Sequence, residues 1–220
     1  MKRTKRSVTL FLMLTTALTF TYAQKKINEG TVTYTATYEL SADQLLYADQ
    51  LPKEITCYFR GDSTAAITNQ GAAIIKGVSV LKSNYHSLLV NIPAASKKIV
   101  VVMSNEEVEQ EKAANPQFKG TEGTEKQIIN GYTCIKVNIT DTKSGASYEI
   151  WVTNDIDMPP NSVSKLVSEF GGVPVRFVTF NRGIKISAEI KEINEVPIPA
   201  GFLSPTRDYE SMTFAQLQAL

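Results

Sequence analysis

Lys126-Gln-Ile-Ile-Asn-Gly-Tyr-Thr-Cys-Ile-Lys-Val-Asn-Ile-Thr140, a polar break from Asp141 to Gly145, and then Ala146-Ser-Tyr-Glu-Ile-Trp-Val-Thr153 form the stretch that decides the fold. Two alternating runs around a short polar segment predict a β-hairpin. In the first run Thr133, Ile135, Val137 and Ile139 share one face, and Tyr132, Cys134, Lys136 and Asn138 share the other. In the second, Tyr148, Ile150 and Val152 lie opposite Ser147, Glu149, Trp151 and Thr153. Strand side chains alternate with period two, so each run offers one apolar face to a core.

Working outward, the same alternation recurs. Gly30 to Leu40 places Val32, Tyr34, Ala36 and Tyr38 against Thr31, Thr33, Thr35 and Thr37. Glu54 to Arg60 turns at Gly61-Asp62 into Ser63 to Thr68, with Ile55, Cys57 and Phe59 on its buried side. Further strands are predicted over 72–82, 85–92, 97–103, 173–180 and 183–193, the last with a bulge near Glu192 where Ile193 breaks phase. The run Ile99-Val-Val-Val102 is apolar on both faces and predicts a central strand covered on each side, or a strand between the core and a helix. Residues 115–125 carry Pro116, Gly120 and Gly123 and read as a loop.

Four stretches read as helices. Ser41-Ala-Asp-Gln44 and Ser104-Asn-Glu-Glu107 are capping boxes, each opening a short helix. Asn161 or Ser162 caps a helix over 159–172, whose Val163, Leu166, Val167 and Phe170 repeat at helical spacing before Gly171 ends it. Thr213-Phe-Ala-Gln216 opens a last one. The expected architecture is mainly β with α: an antiparallel sheet of nine or ten strands, covered on one face by helices.

Composition bounds the function. With 43% hydrophobic and 20% charged residues the chain is globular in type. The basic Lys2, Arg3, Lys5 and Arg6, the apolar run Val8 to Phe20 and the small-residue site Thr21-Tyr22-Ala23 read as a signal peptide over 1–23, with a single domain over 24–220 beginning at Gln24. The apolar run is shorter than the ~20 residues that a spanning helix needs, so the mature chain is expected to have no transmembrane segment. The leader holds four basic and no acidic residues, leaving 19 basic against 22 acidic and a net charge of −3. That balance gives no electrostatic footprint for nucleic acid. Export into an oxidising compartment permits a disulfide between Cys57 and Cys134, but their strand faces set them on opposite sides of the sheet.

Catalytic signatures are absent from the sequence: there is no Gly-x-Ser-x-Gly elbow, phosphate loop, His-Glu-x-x-His or Cys-x-x-Cys, and the single histidine, His86, shares a strand side with Leu88 and Val90. No metal or cofactor is expected; Asp155 and Asp157 read as a plain turn and the Glu106–Glu111 run as a solvated helix face. Candidates for lining an apolar ligand cavity are Tyr34, Tyr38, Ile55, Phe59, Ile150 and Phe177 on the strands, with Leu166 and Phe170 from the 159–172 helix. An ordinary filled core is the competing reading of the same residues.

Ser87-Leu-Leu-Val-Asn-Ile-Pro93 leading to Lys98-Ile-Val-Val-Val-Met103, Ile129-Asn-Gly-Tyr-Thr-Cys134 ahead of Glu149-Ile-Trp-Val-Thr153, and Gly172-Val-Pro-Val175 carry a resemblance. Over about residues 30–200 the chain resembles the outer-membrane lipoprotein carrier (LolA/LolB-like) superfamily, and within it a family of uncharacterised exported domains. The resemblance implies an incomplete barrel with helices over its concave face, a space that in the carriers takes lipoprotein acyl chains, and an arginine for which Arg60 and Arg176 are the candidates. It implies the periplasm of a Gram-negative-type envelope, and lipid, lipoprotein or envelope proteins as partners. Two functions follow: a non-enzymatic binding protein for an apolar ligand such as a lipid or acyl chain, or a structural or protein-interaction component with a filled core.

Overall fold

The structure, a computed structural model, describes residues 27–204 and 208–218. The expected signal peptide and its cleavage site lie outside the described residues. Twelve strands form one sheet in the order β12-β6-β5-β4-β3-β2-β1-β11-β10-β9-β8-β7. Six strands make an N-terminal meander: β1 (Glu29–Glu39), β2 (Glu54–Arg60), β3 (Ser63–Gln70), β4 (Ala73–Val80), β5 (Tyr85–Ile92) and β6 (Lys97–Val102). Five more make a second: β7 (Phe118–Ile129), β8 (Tyr132–Asp141), β9 (Ser147–Thr153), β10 (Val173–Asn181) and β11 (Ile184–Asn194). Antiparallel pairing of β1 with β11 joins the two, and a short β12 (Glu210–Met212) adds in parallel to β6. The 126–153 stretch is the β7–β8–β9 edge of this sheet, with Val137 opposite Ile150 and Lys136 opposite Trp151.

The connection from β6 to β7 requires the sheet to bend. Ten strand spacings separate these strands in the sheet, about 48 Å if it were flat. The linking chain contains the ten-residue helix α1 (Asn105–Ala114) and five other residues, a reach of about 32 Å at most. A Lys165–Glu111 ion pair at 2.7 Å ties α1 to the 157–172 connection, which packs on the face carrying Tyr34. That face is therefore the inner side of the bend.

Register places Tyr34, Tyr38, Ile55, Phe59, Ile135, Val137, Ile150, Ile184 and Ile186 together on the inner face, and Thr33, Thr35, Lys136, Lys185 and Glu189 on the outer one. The shift between Thr33 and Tyr34, where Glu192 is followed in pairing by Ile190, is the bulge expected near Glu192. Outer-face cross-strand pairs of opposite charge, Arg176–Glu189 at 2.8 Å and Lys185–Glu39 at 2.7 Å, suit a solvated side. Cys57 and Cys134 are both free and buried, on opposite faces.

Several elements differ from the sequence reading. Residues 159–172 do not form the regular helix expected from their apolar spacing; they run as consecutive turns. Only scattered helical bonds occur, such as Lys165 N–H to the Asn161 carbonyl. Tandem Pro159-Pro160 at the entry remove two backbone donors, and Gly171 and Gly172 at the exit take φ of 88° and 156°. The inner face is thus covered by a non-helical segment, and the helix α1 contributes to burial mainly through Val108. Residues 118–125, expected in a loop, belong to the edge strand β7. Their glycines fit positions where side chains are crowded out: a Cβ on Gly120 would lie 2.3 Å from the Phe170 ring. The stretch after Ser41 is a 3-10 helix over Gln44–Gln50. The Ser104/Glu107 capping box forms in full, and Thr213 opens α2 (Phe214–Gln218).

Candidate functional site

The cavity-lining candidates converge, and the chain itself fills the space they enclose. Tyr34, Phe59 and Ile150 are fully buried, Phe177 and Ile55 nearly so. Tyr34 and Phe177 meet edge to face, centroids 5.6 Å apart and planes at 87°. Above them Met158, Val163 and Val167 from the 157–172 segment belong to the same packed cluster, with Leu166 and Phe170 half-buried against it. Tyr38 sits at the rim, its hydroxyl donating to the Pro52 carbonyl at 2.7 Å.

Asn161 pins this cover. Its Oδ1 accepts from the backbone N–H groups of Val163 at 2.9 Å and Ser164 at 3.1 Å, the geometry of a capping side chain at the start of a turn. Its Nδ2 donates to the Tyr34 hydroxyl at 3.4 Å. Burial pushes the Tyr34 phenol well above its usual range, and the neighbouring Cys57 thiol, itself pushed up by burial, adds to this. Both groups stay neutral, as suits an apolar interior. Cys134 on the other side is pushed up to about 11, first by burial.

A cleft of about 230 Å³ opens beside the cover, lined by Asn154, Ile156, Asp157, Met158, Ser164 and Val173 among others. It is smaller than typical small-molecule sites of roughly 300–1,000 Å³. Asp155 accepts the Thr133 N–H at 3.0 Å and so ties the end of β9 to the start of β8. Among the described residues no three His, Cys, Asp or Glu side chains converge as a metal-ligand set. No described helix is long and apolar enough to cross a membrane.

Ser79 Oγ and His86 Nδ1 lie 3.1 Å apart, a serine–histidine contact that the sequence reading did not find because it arises across the β4–β5 pair. His86 is pushed down, first by burial and then by Lys165, with Glu111 opposing. Among the described residues no carboxylate is hydrogen-bonded to the ring, and the contact has the form of a cross-strand polar pair. The two arginines singled out earlier are both engaged. Arg176 pairs with Glu189, while Arg60 donates to the Ile198 carbonyl at 2.9 Å and lies 3.8 Å from Glu29.

Sequence reasoning missed a second cover. The segment after β11 crosses the outer face of the N-terminal meander. Ile198 and Leu203 bury against Ala65, Val78, Leu89 and Val100, with Tyr58, Tyr85, Phe202 and Tyr209 around them. The alternating Val196, Ile198 and Phe202-Leu203 were a signal for it, broken up by Pro197 and Pro199.

Comparison with known proteins places this architecture. PNGF-II has a similar structure, with a TM-score of 0.54 and 13% identity over 87% of this chain and 32% of its own. The chain thus spans about a third of that protein's length, and the likeness shows the fold alone. Looser matches are a DUF1329 family protein from Desulfovibrio piger, TM-score 0.35 and 10% identity over 82% of this chain and 91% of that one, and a domain described as an outer membrane lipoprotein-sorting protein from Vibrio parahaemolyticus, TM-score 0.26 and 8% identity over 81% and 90%. Alignments that loose carry no argument about function. No curated protein matches the chain. The family model described as "Domain of unknown function (DUF4412)" matches residues 46–159, just over half of the chain, from the β1–β2 connection to the start of the inner cover, and the chain belongs to that family.

Proposed function

We propose that this chain is an exported, non-enzymatic protein of the cell envelope that acts by binding another protein. Export rests on the leader-like residues 1–23. The observation that carries the binding mode is the filled inner face. The site where an acyl chain would lie holds Met158, Val163 and Val167 of the chain itself, packed on Tyr34, Phe59 and Phe177. Packed interiors leave no room for a ligand without displacing atoms.

One feature favours a second reading, an apolar-ligand carrier that opens. The 157–172 cover is irregular, enters through Pro159-Pro160, leaves through Gly171-Gly172 and borders the 230 Å³ cleft. A segment of this kind is able to move as a lid. Native mass spectrometry of protein purified from its own envelope, with titration of a fluorescent fatty acid, separates the two readings. The interaction reading expects no co-purified lipid and no saturable fatty-acid binding. Stoichiometric lipid, lost in Val167→Asp while the fold persists, establishes the carrier instead.

A further inference from the structure

The outer-face cover has the form of a bound peptide. After β11 the chain passes over the outer face of β2–β6, extended through Ile198 and then turning, with the Phe202 N–H donating to the Pro199 carbonyl, the Ser204 N–H to the Gly201 carbonyl and Gly201 at φ 77°. Two side chains grip its backbone at one residue: Arg60 Nη1 donates to the Ile198 carbonyl at 2.9 Å, and Glu29 Oε1 accepts the Ile198 N–H at 2.7 Å. Such a clamp reads a main chain and not a side chain. Ile198 and Leu203 fill the apolar floor and are only 4% and 5% exposed. The Phe202 ring packs against Tyr58 at a tilt of 52°, centroids 4.5 Å apart, with Lys76 Nζ 4.2 Å from its centroid; Lys76 also donates to the Phe202 carbonyl. Beyond Tyr209, β12 pairs with the edge of β6 from Ile99 to Val101, in the manner of an added strand.

The fit is incomplete. Among the described residues, the Ser87 hydroxyl, on a residue 4% exposed, and the buried Tyr85 hydroxyl have no hydrogen-bond partner. They stand two residues apart on β5, on the same outer face as Val78 and Leu89. Beside them Val102 is 52% and Leu81 61% exposed. A buried hydroxyl without a partner is destabilising, so residues 196–204 and 208–212 satisfy the apolar part of this groove and leave its polar part open.

We propose that the outer face of β2–β6 is a peptide-recognition groove, filled intramolecularly by residues 196–204 and 208–212, and that its partner is a segment of another polypeptide, extended at its first anchor and turning before its second. That segment carries an aliphatic residue, an aromatic residue four positions on and a further aliphatic beside it, matching Ile198, Phe202 and Leu203. It also carries side-chain carbonyl or carboxylate acceptors that reach Tyr85 and Ser87. The proposal deepens the protein-binding reading and rests on it.

Two measurements test it on the mature full-length chain. The first is hydrogen exchange of the wild type. Local opening of the cover predicts amides of 196–204 and 210–212 exchanging on the order of 100-fold faster than those of β1 and β11. Equal rates overturn the proposal. The second is fluorescence anisotropy of a labelled synthetic peptide with the sequence of residues 195–212. The wild type binds it weakly, since the internal copy competes at an effective concentration on the order of millimolar. Phe202→Ala weakens the internal copy and is expected to tighten peptide binding at least about tenfold, and adding Arg60→Ala abolishes the gain. Unchanged peptide affinity in a folded Phe202→Ala variant overturns the proposal, and if that variant does not fold, Leu203→Ala takes its place. Dimerisation of the opened variant without peptide binding assigns the groove to a second copy and refutes the foreign partner. Fatty-acid binding with a rigid outer cover would refute the protein-binding reading separately.

Discussion

Replacing Asn161 by alanine tests whether the inner cover is held as described. The side chain is 1% exposed and makes two capping bonds and a longer one to Tyr34. Removing a cap of this type costs about 1 kcal/mol, within a range of roughly 0.5–2. The lost amide also takes a partner from the buried Tyr34 hydroxyl, worth about 1 kcal/mol more, softened because Ser164 lies close enough to share that hydroxyl. The expected loss is about 1.5–2 kcal/mol, a fall of about 0.8–1 M in urea midpoint at a slope near 2 kcal/mol/M. A double-mutant cycle with Tyr34→Phe isolates the link between cover and sheet. In the Tyr34→Phe background the Asn161→Ala penalty should shrink by about 0.5–1 kcal/mol. A loss below about 0.5 kcal/mol, or an unchanged penalty in the Phe background, would refute the account of Asn161 as the pin.

Other perturbations probe other links. Gly30→Ala sets a Cβ 2.2 Å from the Asn194 backbone carbonyl at the β1–β11 junction, where neither strand is free to shift, and should destabilise by at least about 3 kcal/mol in chemical unfolding. His86 is the only histidine in the chain and its pKa is depressed in the folded state, so the unfolded chain takes up the proton first as pH falls. Stability is therefore highest above the unfolded value of about 6.5 and declines as pH drops from there through the folded value; His86→Gln should flatten the melting temperature between pH 7.5 and 5.5, and an unaltered slope would remove the histidine from the account. Val167→Asp, at a fully buried position, should cost more than about 3 kcal/mol, whereas Leu166→Asp at a half-buried one should cost about 1–2; equal urea midpoints would show the cover's packing face to be misassigned.

Period two made the strands legible and period 3.6 misled. Tyr34, Ile55, Phe59 and Ile150 were assignable to one face because alternation fixes side-chain direction wherever one face is buried. The apolar spacing of Val163, Leu166, Val167 and Phe170 recorded burial correctly, since all four pack on the core. It did not record regularity, because prolines at the entry and two glycines at the exit interrupt the backbone ladder. β7 was hidden because an edge strand pairs through backbone on one side and presents Lys119, Glu122, Glu125 and Lys126 to solvent, as edges do when they resist further pairing. The outer cover was missed for another reason. Its short apolar alternation is cut by Pro197 and Pro199, and what places it is a groove built by β2–β6, a relation between distant parts of the chain.

The two covers differ in what their removal exposes, which is why partner exchange is assigned to the outer one. Lifting residues 157–172 uncovers Tyr34, Phe59, Phe177 and Ile150 and breaks the buried bond from Asn161 to the Tyr34 hydroxyl. Each large side chain returned to water costs about 1.5–3 kcal/mol, and four of them rival the whole stability of an ordinary domain. Lifting residues 196–204 uncovers Ala65, Val78, Leu89 and Val100, smaller side chains on the outer face. It frees Tyr85 and Ser87 to bond with water, which offsets part of the loss. The inner cover belongs to the fold's core, and the outer one is a contact that the sheet can make with another chain.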